Sequence, residues 1–246
     1  MKQTELIMGM PITVEIVDGD AKKYFQDVFN YFSKIDAKYS TYKNDSEISQ
    51  INNGLPKSKF SSEMKKVLAL CEQTRKDTKG YFNITLNGKL DPSGLVKGWA
   101  INNAANMLRK KKLTNFYIEA GGDIQVSGHD TNNQPWTIGI RNPFNINEII
   151  KTISLTSEGV ATSGTYIRGQ HIYNPFKPNV KLHGVRSLTV IGPNIYEADR
   201  FATAAFAMGV DGISFIKTIQ GLEAYMVTDN EVATYTSGFE RYVVNA

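Results

Sequence analysis

The sequence is poor in cysteine, with one residue of this type, Cys71, among 246. A single thiol excludes an internal disulfide framework and a metal cluster held by several thiolates. Apolar residues surround it in the sequence, namely Val67, Leu68 and Leu70. We therefore expect a thiol buried in the core rather than a reactive nucleophile.

Long apolar runs are also missing, since no stretch approaches the roughly 20 residues that a membrane-spanning helix needs. The first eight residues lack the apolar segment of a secretory signal and lead almost at once into a strand-like pattern. We expect a protein without a membrane span that acts in the cytoplasm, unless a leader has been removed.

Charge of one sign is scarce, because 28 Lys and Arg face 24 Asp and Glu, a formal net charge of +4. The one dense basic run is residues 109–112, Arg-Lys-Lys-Lys, which closes a predicted helix. Cations complement the dipole at a helix C-terminus. A solvated helix end is thus favoured over a nucleic-acid patch, and no nucleic-acid partner is expected.

What the sequence does contain suits a folded globular protein. Hydrophobic residues make up 41%, aromatic residues 11% and charged residues 21% of the chain. This composition can fill a core and does not indicate disorder. Without internal repeats or an obvious linker, residues 1–246 are expected to form a single domain.

Hydrophobic periodicity predicts a mixture of strands and helices. The pattern of Ile12, Val14 and Ile16 predicts a half-buried strand. Asp20 is then predicted to cap a helix whose apolar stripe runs from Tyr24 to Ile35 and should pack on a sheet. Further helices are predicted over residues 62–78, 95–112, 198–208 and 212–219, with a polar, turn-rich stretch at 43–54. Further strands are predicted over residues 116–118, 136–140, 149–155, 187–191, 223–228 and 232–236. Because the strands come in adjacent runs, an α+β fold is favoured over a doubly wound parallel sheet.

Two glycine-containing segments could contact a phosphate. Residues 91–98, Asp-Pro-Ser-Gly-Leu-Val-Lys-Gly, lead into a predicted helix. The free N–H groups at the start of this helix and the Lys97 ammonium could bind an anion, although such a segment is often only a turn. Residues 119–123, Glu-Ala-Gly-Gly-Asp, follow a predicted strand, where a tight turn and a ligand contact are equally good interpretations.

Two further positions carry groups suited to phosphate chemistry. Asp199 and Thr203 are four residues apart on a predicted helix and therefore share a face. Their hard oxygens suit Mg²⁺, although an Asp in a first helical turn can simply complement the helix dipole. His171, unlike His129 and His183 in predicted surface turns, lies in a segment of small, polar and turn residues. It could act as a general base or be a purely structural residue.

In their order along the chain, these segments resemble the ApbE family of FAD:protein FMN transferases over nearly the whole sequence. Each segment alone is unspecific, whereas the ordered series is specific. Met8-Gly9 resembles the family's Met-Gly-Thr entry, with Met10 in place of Thr. The other matching segments are residues 39–48 with Asn52, 81–85, 91–100, 120–124, 161–164, 171–175 and 198–203.

The resemblance implies an α+β fold of mixed, largely antiparallel sheets with packed helices, similar to the T-fold. It also implies Mg²⁺-dependent transfer of FMN from the substrate FAD to a Thr or Ser hydroxyl of a target flavoprotein, with release of AMP. By matching position, Mg²⁺ would be held by Asp199, Thr203 and the backbone carbonyl of Gly94. The implied catalytic residues are His171 as base, Asp199 and Lys97. The implied FAD-binding residues are Met8, Tyr42, Asn83, Ile84, Thr85, Asp91, Lys97 and Ile172.

The sequence departs from the family pattern at several positions. Asn83, Asn102 and Asn174 stand where family members usually have Asp, Lys177-Pro178 replaces a Thr-Gly pair, and the stretch between Thr85 and Asp91 is shorter. None of these changes touches the implied metal or catalytic residues, so we expect an active enzyme. The alternatives are an Mg²⁺-dependent FAD pyrophosphatase that gives FMN and AMP, and a non-catalytic FAD-binding protein.

Overall fold

The structure is a computed structural model that describes residues 1–19, 21–165 and 172–244. Two predicted residues, the helix cap Asp20 and the base His171, lie outside the described residues. The strands, in chain order, are β1 (Lys2–Ile7), β2 (Met10–Ile16), β3 (Thr85–Leu86), β4 (Lys89–Leu90), β5 (Phe116–Ala120), β6 (Asp123–Ser127), β7 (Trp136–Arg141), β8 (Ile149–Leu155), β9 (Gly159–Gly164), β10 (Ser187–Gly192), β11 (Glu223–Val227) and β12 (Ala233–Tyr235). The α-helices are α1 (Lys22–Tyr39), α2 (Glu47–Asn52), α3 (Ser62–Asp77), α4 (Ser93–Lys110), α5 (Ile195–Ala207) and α6 (Gly212–Ile216), and short 3₁₀ helices cover Lys57–Lys59, Gly209–Asp211 and Phe239–Tyr242.

The centre of the fold is an eight-stranded sheet in the order β1-β2-β5-β6-β9-β10-β11-β12. Every pairing between these described strands is antiparallel. Two small hairpins, β3-β4 and β7-β8, stand apart from it. The α+β class with antiparallel sheets and packed helices, predicted from the sequence, is confirmed.

Each face of the sheet is covered by a different layer. The helices pack on one face, where the stripe of α1 from Phe25 to Ile35 is buried as predicted. The β7-β8 hairpin covers part of the other face, so that Trp136 and Ile153 pack against Ile124. Among the described helices, none combines the length and apolar character needed to cross a membrane.

Most predicted elements are present, with shifted ends. Helix α4 begins at Ser93 rather than Leu95, and α6 ends at Ile216 rather than Ile219. Helix α5 begins at Ile195 rather than Ala198, because the Asn194 side chain accepts a hydrogen bond from the Glu197 N–H and caps the helix.

Six of the strands and α-helices were not predicted, and they are β1, α2, β3, β4, β6 and β9. Helix α2 lies within the polar stretch 43–54, where Ser46 accepts a hydrogen bond from Ser49 N–H and starts the helix. Strand β6 is buried on both faces and β9 is built of small residues, so neither has the alternating pattern of a half-buried strand. At Gly159 in β9, a Cβ atom would lie 2.0 Å from the backbone nitrogen of Ile195. Small residues in β9 therefore let α5 approach the sheet closely.

The prediction that Cys71 is buried in the core agrees with the structure. Cys71 is buried in the helical layer, and burial raises the pKa of its thiol to about 12, so the thiol is neutral and unreactive at physiological pH. Gly121 and Gly122 form the tight turn between β5 and β6, with φ of 58° and 94°. That turn returns the chain so that Asp123 starts β6 beside the end of β5.

Candidate functional site

A cavity of about 380 Å³ opens at the side of the sheet where α4 and α5 begin. A volume of this size is in the range of small-molecule sites. Its wall includes ten of the residues predicted from the sequence. They are Met8, Tyr42, Asn83, Ile84, Asp91, Gly94, Lys97, Ile172, Asp199 and Thr203. Thr85 is not among the lining residues, and His171 lies outside the described part of the chain.

The first wall of the cavity is the turn between β1 and β2. Ile7 pairs with Met10, so Met8 and Gly9 form a two-residue turn, with φ of 57° and 70°. Positive φ at both positions is typical of a type I′ hairpin turn, in which a methionine is unusual. Met8 is half-buried and packs on the helical core. Tyr42, by contrast, is 96% exposed at the rim.

The second wall is the start of α4. The Asp91 carboxylate accepts a hydrogen bond from Ser93 N–H at 3.0 Å, which fixes the turn into the helix. Gly94 lies in the first helical turn, and its carbonyl oxygen is 3.5 Å from the hydroxyl oxygen of Thr203 in α5. The two oxygens predicted to bind the same metal therefore face one another.

The close crossing of α4 and α5 brings Asp199 into this wall. Gly98 N–H donates to Asp199 Oδ2 at 2.8 Å. A Cβ atom at position 98 would lie 2.6 Å from Asp199 Cβ and 2.8 Å from the Ile195 carbonyl oxygen. Glycine is therefore required at position 98 for the helices to meet at this distance.

A cluster of charged side chains lies behind Gly94. The Lys97 ammonium is 2.6 Å from Asp123 Oδ2 and 3.9 Å from Asp199 Oδ1. Asp123 and Asp199 are only 1% and 3% exposed, and Thr162 N–H donates to Asp123 Oδ1 at 3.3 Å. The cluster therefore has two buried carboxyl groups and one ammonium group.

Burial raises the pKa of Asp199 far above its ordinary value. The Lys97 ammonium opposes this rise, whereas the Asp123 carboxylate adds to it. Among the described residues, both carboxyl groups lie beside the Lys97 ammonium in a site of low polarity, where unbalanced negative charge is costly. A second cation would stabilise the ionised form of both.

The oxygen atoms beside this cluster fit a hard divalent cation. A carboxylate, a hydroxyl and a backbone carbonyl, from Asp199, Thr203 and Gly94, are the ligand types that Mg²⁺ accepts. Within the described ranges, no group of three or more His, Cys, Asp and Glu is suited to hold a metal. A cation here would therefore combine the Asp199 carboxylate with neutral oxygens and a ligand's own charge, as Mg²⁺ at phosphates commonly does.

The third wall consists of the β3-β4 hairpin and the segment after residue 171. Ile172 is buried, and Tyr173 donates its hydroxyl hydrogen toward the carbonyl oxygens of Asn83 and Thr85, at 3.2 and 3.1 Å. Burial and the Asp91 carboxylate raise the pKa of Tyr173, which keeps its hydroxyl protonated as a donor. Thr85 thus contributes to this wall through its main chain.

Sequence reasoning gave no individual role to Asp123, which lies beside the cavity, or to Tyr173, which lines it. Asp123 belongs to the glycine turn that was singled out, but its pairing with Lys97 depends on β6 lying beside α4 and α5. An Asp directly after a glycine turn at the edge of a buried strand was the available signal. Tyr173 follows the predicted Ile172, and nothing in its spacing indicates the hairpin as its partner.

The comparisons with known proteins agree with this architecture. The chain is 24% identical to the FAD:protein FMN transferase of Haemophilus influenzae, over 96% of this chain and 91% of that protein. It is 25% identical to the FAD:protein FMN transferase of Escherichia coli, over 56% of this chain and 42% of that protein.

Solved structures show the same fold. The flavin transferase ApbE from Vibrio cholerae superposes with a TM-score of 0.86 at 20% identity, over 98% of both chains. The ApbE protein from Thermotoga maritima gives a TM-score of 0.88 at 21% identity, over 100% of this chain and 99% of that chain. The ApbE family model matches residues 8–88 and 87–226. The chain therefore belongs to the ApbE family.

Proposed function

We propose that this protein is a transferase that moves FMN from FAD to a Thr or Ser hydroxyl of a target flavoprotein, with Mg²⁺ as cofactor and AMP as leaving group. The observation that carries the proposal is the convergence of Asp199, Thr203, Gly94 and Lys97 on one cavity. The printed names of the relatives, FAD:protein FMN transferase, supply the substrate class.

In the proposed reaction, the acceptor hydroxyl oxygen bonds to the phosphorus of the FMN half of the pyrophosphate. The bond from that phosphorus to the oxygen of the AMP phosphate breaks, and AMP leaves with the electron pair. The hydroxyl proton passes to a base, for which His171 is our proposal from its position in the sequence. Phosphoryl transfer of this kind depends on charge neutralisation and alignment more than on covalent chemistry by the protein.

Asp199, Thr203 and the Gly94 carbonyl would hold the divalent cation. When bound, that cation would supply positive charge to the pyrophosphate oxygens. Lys97 lies beside the same spot and would offer its ammonium to a phosphate, and Asp123 holds that ammonium in place at 2.6 Å. The start of α4 would add main-chain N–H groups at the same point.

The other lining residues would bind the rest of FAD. Met8, Tyr42, Asn83, Ile84, Asp91 and Ile172 surround the cavity and are our proposed FAD contacts. Thr85 is proposed to act through the position of its main chain, since its side chain is exposed and does not line the cavity.

Two of the three departures from family Asp are compatible with activity. The Asn83 side-chain oxygen accepts a hydrogen bond from Thr85 N–H at 2.9 Å, and that of Asn174 accepts one from Phe176 N–H at 2.9 Å. A carboxylate oxygen would accept the same bonds, so both Asn residues can form the turns that an Asp would form. These contacts favour an active enzyme over a site that has lost its chemistry.

The test is incubation of the full chain with FAD, Mg²⁺ and a candidate target flavoprotein, followed by mass spectrometry of both proteins and of the nucleotides. The proposal predicts a covalent FMN adduct on a Thr or Ser of the target, an equal amount of AMP, and no adduct when EDTA replaces Mg²⁺. Release of FMN and AMP without an adduct would identify a pyrophosphatase instead. Bound but unconverted FAD would identify a binding protein.

A further inference from the structure

The β3-β4 hairpin that forms one wall of the cavity has little intrinsic stability. Its strands have two residues each, paired as Thr85 with Leu90 and Leu86 with Lys89, around an Asn87-Gly88 turn. Two-stranded hairpins of this size are marginal in water without outside support. Leu86 is 41% exposed even though it lines the cavity. Leu90 is partly buried against the helical core, and Asp91 N–H donates to the Ile84 carbonyl oxygen at 2.7 Å, so only part of the hairpin has apolar support.

Polar contacts from two sides add to this support. On one side, the Asn52 side chain donates to the Leu90 carbonyl oxygen at 2.9 Å and accepts from Leu90 N–H at 2.8 Å. On the other side, the Tyr173 hydroxyl is shared between the carbonyl oxygens of Asn83 and Thr85. Asn52 bonds strand β4, which the cavity residue Asp91 follows. Tyr173 bonds the chain on both sides of the cavity residue Ile84, just before and within β3.

We propose that Tyr173 is a positioning residue for FAD binding, which clamps the β3-β4 hairpin against the cavity through its hydroxyl group. The inference rests on the proposed function for the identity of the ligand. Tyr173 would act through the main chain of residues 83–85 and not through the reacting atoms. Asn52, which does not line the cavity, would act on the same hairpin from behind.

Removal of the Tyr173 hydroxyl should weaken FAD binding more than it slows the chemical step. Loss of the Tyr173 hydroxyl should let the hairpin leave the cavity wall more often, and FAD would then have to order it on binding. One net hydrogen bond corresponds to an affinity loss of roughly 3- to 10-fold. The metal and lysine positions lie on α4 and α5, so the fall in kcat should be smaller than the rise in KM.

The experiment compares Tyr173→Phe and Asn52→Ala with the wild-type chain. Amide hydrogen exchange is measured over residues 83–91 without ligand, and FAD affinity is measured by flavin fluorescence titration. Both variants should exchange faster in this segment and bind FAD at least about 3-fold more weakly. Tyr235→Phe is the matched control, because it removes a tyrosine hydroxyl that bonds Glu240 away from the cavity.

Each possible result of this comparison tests a different part of the proposal for Tyr173. Unchanged exchange in the hairpin of Tyr173→Phe would overturn the clamp. Faster exchange with unchanged FAD affinity would overturn its role in binding. Weaker FAD binding in Tyr173→Phe but not in Asn52→Ala would mean that the Tyr173 hydroxyl contacts FAD directly, which also contradicts the proposal. Hydrogen exchange and FAD titration do not depend on FMN transfer. A wild-type chain that binds FAD but transfers no FMN would therefore contradict the proposed function and leave the proposal for Tyr173 intact.

Discussion

Lys97, Asp123 and Asp199 form a charged cluster in which both carboxyl groups are buried. Buried ion pairs contribute little net stability because both partners lose their hydration, and an unpaired carboxylate is costly. The Lys97 ammonium nevertheless lies 2.6 Å from Asp123 and 3.9 Å from Asp199, beside the cavity. This arrangement is explained if the cluster binds charged ligands.

Asp123 is therefore predicted to act through Lys97. Asp123→Asn should lower kcat/KM for FMN transfer by about 10- to 100-fold, as expected for a group that orients a ligand-binding side chain. Lys97→Met should lower it at least as much, and the double variant should be no worse than Lys97→Met, since the two groups act as a unit. The measurement is kcat/KM of all four proteins, with thermal unfolding of each.

A matched pair of substitutions controls for loss of an ion pair as such. Lys38 in α1 donates to Glu63 in α3 at 2.7 Å, and neither residue lines the cavity. Lys38→Met and Glu63→Gln should leave transfer unchanged. Additive losses in the Lys97 and Asp123 variants would show that the two residues act independently and would contradict the account.

At the scale of single residues, helical periodicity was enough to predict that Asp199 and Thr203 share one face of a helix, because residues four apart on a helix point to the same side. It was not enough for Asp123 and Tyr173. The contacts of these residues cross between segments 26 residues or more apart along the chain, Lys97 with Asp123 and Tyr173 with Thr85. No local pattern encodes such pairs.

At the scale of elements, the crossing of α4 and α5 determines the site. Gly98 in α4 has no space for a side chain, with a Cβ atom 2.8 Å from the Ile195 carbonyl oxygen. Gly98→Ala should therefore destabilise the protein by about 1–3 kcal/mol, the usual cost of overpacking, despite the better helix propensity of Ala. Urea unfolding of the variant and the wild type measures this difference.

Gly94→Ala is the matched comparison in the same helix. Its Cβ atom would lie 3.3 Å from Thr203 Cγ2, at the end of a side chain rather than against backbone. This variant should lose less stability than Gly98→Ala. Equal stability of Gly98→Ala and the wild type would mean that the helices can separate, and the close crossing would not be required.

The elements that the sequence predicted are those with a clear period. Helix α1 has a regular apolar stripe, and β2 alternates. Strands β6 and β9 were missed because one is buried on both faces and the other consists of small residues under α5. The order of the family segments, rather than periodicity, indicated that residues 120–124 and 161–164, which overlap β6 and β9, belong to one functional site.

At the scale of the whole molecule, the two faces of the sheet carry separate apolar clusters. Trp99 lies in the helical cluster and Trp136 in the cluster under the β7-β8 hairpin. We propose that residues 1–246 form a single domain, since both clusters share the eight-stranded sheet. The two tryptophans of the chain allow a test.

Trp99→Phe and Trp136→Phe each leave one fluorescent reporter, in one cluster. In each variant, the urea midpoint from fluorescence should coincide with the midpoint from far-UV circular dichroism, because a single domain unfolds cooperatively. Comparison within each variant removes the effect of the substitution on stability. Two midpoints in either variant would show that the layers unfold separately.

We propose that Asp199, with Thr203 and the Gly94 carbonyl, binds FAD through a divalent cation. The most direct test is the titration of FAD into the wild type and into Asp199→Asn, each with Mg²⁺ and with EDTA. An Asn oxygen can still accept the Gly98 N–H bond, so the variant loses the charge and keeps the contact. We predict that Mg²⁺ tightens FAD binding to the wild type by at least about tenfold, or ~1.4 kcal/mol, and leaves Asp199→Asn unchanged. Equal tightening in both proteins would contradict the account.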